Sequence, residues 1–204
     1  VVPESNTVNV NQDFGGGGLT FDENGAATDA NTGIQGGGNP FYRLLTGQAD
    51  SNGRTVSFGN IAPASWASLT VETEIRFTPV EGRTPADGHA FVLQDAAAPD
   101  LANGLEVEQI GGTPVPHMSF AWGDNQQDIE IDEWADSNWH DVEIEIESHP
   151  QGGMISISLD GEFILEDEVL VGYQPGQQTR FIAAARAGAA GDGTHDIRNV
   201  SATS

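Results

Sequence analysis

The chain has 204 residues, long enough to bury one sizeable core, with 37% hydrophobic residues, 26 glycines and no cysteine. Seven basic residues, all of them arginine, face 31 acidic ones for a net charge of −24. That balance argues against nucleic acid and anionic membranes as partners, since both demand a cationic face. Disulfides are excluded, and no apolar run approaches the roughly 20 residues of a membrane span.

Residues 1 to 55 are rich in Gly, Asn, Asp and Thr, with short candidate strands at Thr7 to Val10 and Leu19 to Asp22. The opening VVPESNTVNV lacks the basic and apolar regions of a signal peptide, which fits a mature chain or a domain of a larger protein. The runs Gly15 to Gly18 and Gly36 to Gly38 read as turns. Neither leads into a lysine-bearing helix of the kind that cradles phosphate. From Thr55 the strand signal strengthens. Thr55 to Ile61 alternates, and Ser68 to Val80 alternates strictly. Leu69, Val71, Thr73, Ile75 and Phe77 fall on one face, with Thr70, Glu72, Glu74 and Arg76 on the other.

His89 to Asp95, Gly104 to Ile110, His117 to Trp122, Asp128 to Trp134, His140 to Ser148 and Met154 to Ile164 continue the series. The run Arg180 to Ala202 reads as a strand, a Gly-rich loop and a closing strand. Strands every ten residues or so, separated by turn signals, predict an all-β, two-sheet antiparallel sandwich. No helical period is sustained and no repeat recurs, so residues 1–204 are expected to form a single domain. Strands within 1–60 are expected to pair with the C-terminal strand near 195–204. Carboxylates in GLEVEQI and VEIEIE read as solvated outward faces that blunt edge pairing. Three readings of the overall acidity stand: an exported, salt-adapted surface, calcium binding by some carboxylates, or a cationic partner.

Three segments, in order, carry a resemblance. ADGHAFVLQD (Ala86 to Asp95) resembles the ADG loop and strand of legume-lectin-like jelly rolls. NWHDVEIEI with ISISLDGEFI resembles a hairpin of bacterial laminin-G-like domains. YQPGQQTRFIAAARAG with HDIRNVSA resembles the ending that both share. Together they bracket most of residues 65 to 204 and point to the concanavalin A-like lectin/glucanase superfamily.

The resemblance implies a jelly roll with ligand loops at one rim of a concave sheet. It implies that Asp87 accepts sugar hydroxyls beside Gly88, and that the Gly188 to Gly193 loop supplies further contacts. It also implies a dinuclear metal centre held by an E-x-D pair. Here the matching strand has Glu108 but Ile110 in the second position, and Arg198 stands where many relatives carry an acid.

Further rim candidates follow from position. His89 follows the ADG turn, Gln94 ends that strand, and Arg186 sits in a strand of small residues. Trp122, before GDNQQD, is the aromatic best placed to stack on a pyranose, whereas Trp139 in the WH motif reads as core. The oxygen-rich stretches Gly123 to Asp128 and Asp192 to Thr194 make Ca2+ the candidate cofactor without placing it. An enzymatic alternative rests on Asp128, Glu130 and Asp132 at alternate strand positions, but their spacing departs from the glycosidase pattern. His89, His117, Tyr173 and Arg186 lack the spacing of a lyase set. The resulting expectation is a non-catalytic carbohydrate-binding or adhesion module, extracellular or at the cell surface, whose partner is a polysaccharide or cell-surface glycan. The alternatives are a polysaccharide-degrading enzyme of the same fold and a structural spacer of a larger protein.

Overall fold

The structure, a computed structural model, describes residues 9–12, 21–24, 32–46, 55–62, 67–81, 88–95, 105–110, 117–122, 124–131, 135–173, 179–185 and 193–204. For 9–11, 21–24, 60, 94–95, 105–110 and 117 only the backbone is described. Among the described residues every regular element is a strand. In chain order these are β1 Asn9–Gln12, β2 Phe21–Asn24, β3 Gly33–Gln35, β4 Phe41–Leu45 and β5 Thr55–Ala62. Then come β6 Ser68–Pro79, β7 Gly88–Asp95, β8 Leu105–Ile110, β9 His117–Trp122 and β10 Asn125–Glu130. β11 Trp139–His149, β12 Gly152–Leu159, β13 Glu162–Val171, β14 Thr179–Ala185 and β15 Gly193–Thr203 complete the chain.

They form two antiparallel sheets in a jelly-roll sandwich. Sheet A runs β13-β12-β11-β6-β15-β4-β3, with β1 also against β15, and sheet B runs β10-β9-β8-β7-β14-β5-β2. β15 pairs through Val200 to Thr203 with β1 and through His195 to Ile197 with β4. Period-2 patterning drives the layering. Leu69, Val71, Thr73, Ile75 and Phe77 of β6 are buried, as are Val142, Ile144 and Ile146 of β11. From sheet B, Phe58, Phe91 and Phe181 stack in series, with neighbouring centroids 6.0 and 5.7 Å apart. A fully buried Phe or Leu is worth about 1.5–3 kcal/mol, and this stack stands in place of the missing disulfides.

Turn chemistry sets register locally. Leu159 pairs with Glu162, leaving Asp160 and Gly161 as a two-residue loop with φ of 52° and 79°. Positive φ at both positions is the type I′ hairpin that Asp-Gly favours. It splits the expected strand Met154 to Ile164 into β12 and β13. A second difference lies at GDNQQD, where Asn125 pairs with Trp122 and β10 starts at once. Asn125 to Asp128 are therefore strand residues, not a cation-wrapping loop.

Candidate functional site

Strand registers show which ends of the sandwich adjoin. Pro79, the last residue of β6, pairs with Gly193, the first of β15. Ala185, the last of β14, pairs with His89, the second of β7. Gly88 pairs with Ile110, Ile110 with His117, and His117 with Glu130, which closes β10. Leu45, ending β4, pairs with His195. The strand ends bordering 46–54, 80–87, 111–116 and 186–192 thus lie at one end of the sandwich, and Trp139, opposite Arg76, opens β11 close by.

Close approach at this end needs glycine. A Cβ on Gly193 would sit 2.2 Å from the Thr78 carbonyl oxygen and 2.9 Å from the Phe77 ring. Behind it, His89 of sheet B meets His195 of sheet A, ring centroids 4.7 Å apart, and Phe77 covers His195 at 4.6 Å. His89 is 1% exposed. Burial and the nearby His195 ring push its pKa well below the usual histidine value, against a hydrogen bond with the Asp196 backbone. The ring is neutral at pH 7 and ties the two sheets together behind the loops.

A further histidine at this end, His140, makes a clamp. His140 bonds Asp160 through Nδ1 at 2.7 Å and Asp136 through Nε2 at 3.0 Å. Burial opposes its charge, but the bonds to Asp160 and Asp136 outweigh it and raise the pKa. Against its own partial burial, Asp136 is lowered to about 2 by hydrogen bonds from Asn138 and by His140. With both ring nitrogens engaged, His140 holds the 135–138 segment onto the β12–β13 turn and has no atom left to act as a base.

On the outer face of sheet A, Asp196 is fully buried beneath two guanidinium groups. Arg43 donates through Nε to Oδ1 at 2.8 Å and through a terminal nitrogen to Oδ2 at 3.1 Å. Arg76 donates twice to Oδ2, at 3.1 and 2.6 Å. Arg76 also lies 4.9 Å from the Phe41 centroid and 4.5 Å from that of Trp139, while Arg198 lies 4.1 Å from Trp139. Trp139 is therefore the partly exposed plate of a cation–π stack rather than a core residue.

The sequence-derived site residues separate into three groups. Asp87, Arg186 and Gly188 lie outside the described residues. Gly88 opens β7 at the loop end, directly beside the His89–Ala185 pair. The rest are corrected. His89 faces the interior, because position 89 shares the inward face of Phe91 and Leu93, and it is closed to ligand. Gln94 is six residues further along β7, opposite Arg180. At about 3.4 Å per residue that is about 20 Å from Gly88, at the other end of the sheet. Trp122 lies at that far end too, pairing with Leu105. It is 8% exposed, stacked on Phe120 at 5.6 Å, and donates its indole N–H to the Val171 carbonyl at 3.2 Å. It pins the edge of sheet B to sheet A.

Among the described residues no group of three or more His, Asp or Glu side chains is arranged to hold a metal ion. The dinuclear donor set does not fit β8, where an alkyl side chain at Ile110 takes the place of the second carboxylate.

No family model and no curated protein sequence matches the chain. Solved structures do. Peanut lectin is 16% identical, with a TM-score of 0.66 over 97% of each chain. Lectin I from Ulex europaeus, in complex with the methyl glycoside of α-L-fucose, is 15% identical, with a TM-score of 0.65 over 98% of each chain. The exoplasmic/lumenal domain of VIP36 in its Ca2+/Man-bound form is 15% identical, with a TM-score of 0.56 over 89% of this chain and 82% of that one. The chain has the concanavalin A-like lectin fold.

Proposed function

We propose that this concanavalin A-like jelly roll is a non-catalytic carbohydrate-binding module of an exported or cell-surface protein. It takes a glycan at the loop end, through Asp87 and Gly88 on one side and the Arg186 to Gly193 segment on the other. The observation that carries the reading is the register of β7 against β14. Ala185 pairs with His89, so the chain enters the Gly-rich segment beside the point where it leaves the ADG segment. The strand ends that border the two stretches thus lie side by side although far apart in sequence, and the His89–His195 contact is buried behind them. Lectins of the same fold that hold fucose or mannose support the same class of ligand.

The acidic, lysine-free composition supports an extracellular, salt-rich setting. A calcium ion, if part of this site, falls to loop carboxylates such as Asp192 rather than to a lectin-type dinuclear centre. Micromolar calcium, and not magnesium, is then expected to raise the melting temperature. The decisive experiment is a glycan array run with calcium, comparing the native chain with Asp87→Asn. Binding by the native chain that Asp87→Asn abolishes, at unchanged circular dichroism, supports the reading. Silence across a broad array overturns it, as does release of reducing or unsaturated sugar ends, which marks an enzyme.

A further inference from the structure

A groove of about 500 Å³ opens on the outer face of sheet A. One transverse row of paired residues crosses it. Phe163 of β13 pairs with Ser158 of β12, Ser158 with Glu143 of β11, Glu143 with Glu72 of β6, and Glu72 with Ser201 of β15. All five line the groove, with Glu74 and Asp141 in the adjoining row. With strands about 4.8 Å apart, the row spans about 19 Å.

We propose that this groove is a second binding site, for a sugar chain bearing protonated amines, with Phe163 as the stacking plate and Glu143 and Glu72 as the ammonium acceptors. Four observations carry it. Phe163 is 57% exposed, a large flat apolar surface beside the groove's carboxylates, suited to the C–H side of a pyranose ring. Ser158 is 7% exposed, lines the groove, and its hydroxyl has no bonded partner among the described residues, which leaves a donor and an acceptor for a ligand hydroxyl.

The charges are also unbalanced. Glu74 is satisfied by Arg198 and Asn199, and Glu72 accepts from Ser201 at 3.0 Å. Among the described residues the carboxylates of Glu143 and Asp141 have no such partner, and each stands directly opposite a glutamate, Glu72 and Glu74 respectively, across the β6–β11 ladder. Like charges so placed destabilise a sheet, and burial with the charges of Glu72 and Glu145 raises the Glu143 pKa. A ligand cation relieves that repulsion. Finally, the acids are spread along a row and not gathered into a metal-binding cluster among the described residues, which favours an extended organic cation over a divalent ion.

The test is titration calorimetry with a glucosamine tetramer, its N-acetylated counterpart and spermine, alongside amide chemical-shift mapping. The glucosamine tetramer is expected to bind and to shift the Ser158 and Phe163 amides. Loss of the amine charge by N-acetylation, Glu143→Gln or Phe163→Ala is each expected to weaken binding about tenfold. Asp87→Asn should leave this affinity unchanged, so failure here and failure at the loop end are told apart. Equal binding of the acetylated tetramer overturns the proposal, as does indifference to Glu143→Gln. Spermine binding as tightly as the sugar with no loss in Phe163→Ala also overturns it, since that is generic attraction of a polycation to an acidic protein.

Discussion

Replacing Asp196 tests how the sandwich is held at the centre of sheet A. Its carboxylate is wholly buried and accepts four N–H bonds, two from Arg43 and two from Arg76. Charge-assisted bonds are worth about 1.5–3 kcal/mol each when taken singly, so a plain sum over four would exceed 6 kcal/mol. That sum overstates the loss. The Arg43 and Arg76 side chains are 25% and 23% exposed and regain water once released. Breaking a buried pair costs about 3–5 kcal/mol, and partial rehydration places Asp196→Ala at the lower end, about 3 kcal/mol. For a chain of this length, about 2–4 °C of melting temperature per kcal/mol gives a fall of about 6–12 °C. Asp196→Asn keeps the shape but turns an N–H group toward a guanidinium, so a comparable loss is expected. Arg43→Met, which leaves the Arg76 pair intact, should cost roughly half as much. Urea denaturation followed by tryptophan fluorescence, to which Trp139 stacked on Arg76 contributes, reads the effect. A change within about 0.5 kcal/mol for Asp196→Asn refutes the reasoning.

Gly193→Ala drives a Cβ into the Thr78 carbonyl at 2.2 Å. It should destabilise by about 1–3 kcal/mol in the same denaturation assay, whereas equal stability would mean that the β6–β15 junction is loose. Glu143→Gln removes a charge opposite Glu72 and should stabilise by about 0.2–1 kcal/mol, a gain that added NaCl erodes while it raises the melting temperature of the native chain. The two histidine sites give opposite pH limbs. His89 is held neutral, so its contribution is complete above the unfolded value of about 6.5 and is lost as pH falls toward its lowered folded pKa. His140 is raised by its carboxylate partners, so its contribution is present below about 6.5 and is lost as pH rises through its folded pKa. His89→Leu should flatten the acid limb of a stability–pH profile and His140→Gln the other limb. Unchanged profiles would show that neither ring titrates on unfolding.

Much of the fold is legible in the sequence because strand patterning is local. The alternation in SLTVETEIRFTP marks the buried face of β6 residue by residue, and Asp160-Gly161 announces its own hairpin. The candidate site was legible only in part. The ADG and Gly-rich segments stand out as loops, but their residues from 82–87 and 186–192 lie outside the described set. Gln94 and Trp122 were expected at the same rim, yet a strand about 20 Å long separates them from it, and nothing in a linear motif reports which end of a strand faces a ligand. The groove row had no sequence signal beyond alternating glutamates. Those glutamates read as a solvated face until Phe163 and Ser158 arrive beside them through pairing.

The chain by itself determined an all-β sandwich, the inward face of each long strand, and an acidic, disulfide-free surface. Side-chain period and turn residues act over a few positions, and composition acts everywhere. Tertiary pairing alone decided that Ala185 meets His89, that Asp196 is caged by Arg43 and Arg76, and that five residues from five strands share one groove. Those contacts join positions as far as 153 residues apart. Their partners are chosen by how two whole sheets bury their apolar faces against each other, and no local window of sequence contains that choice.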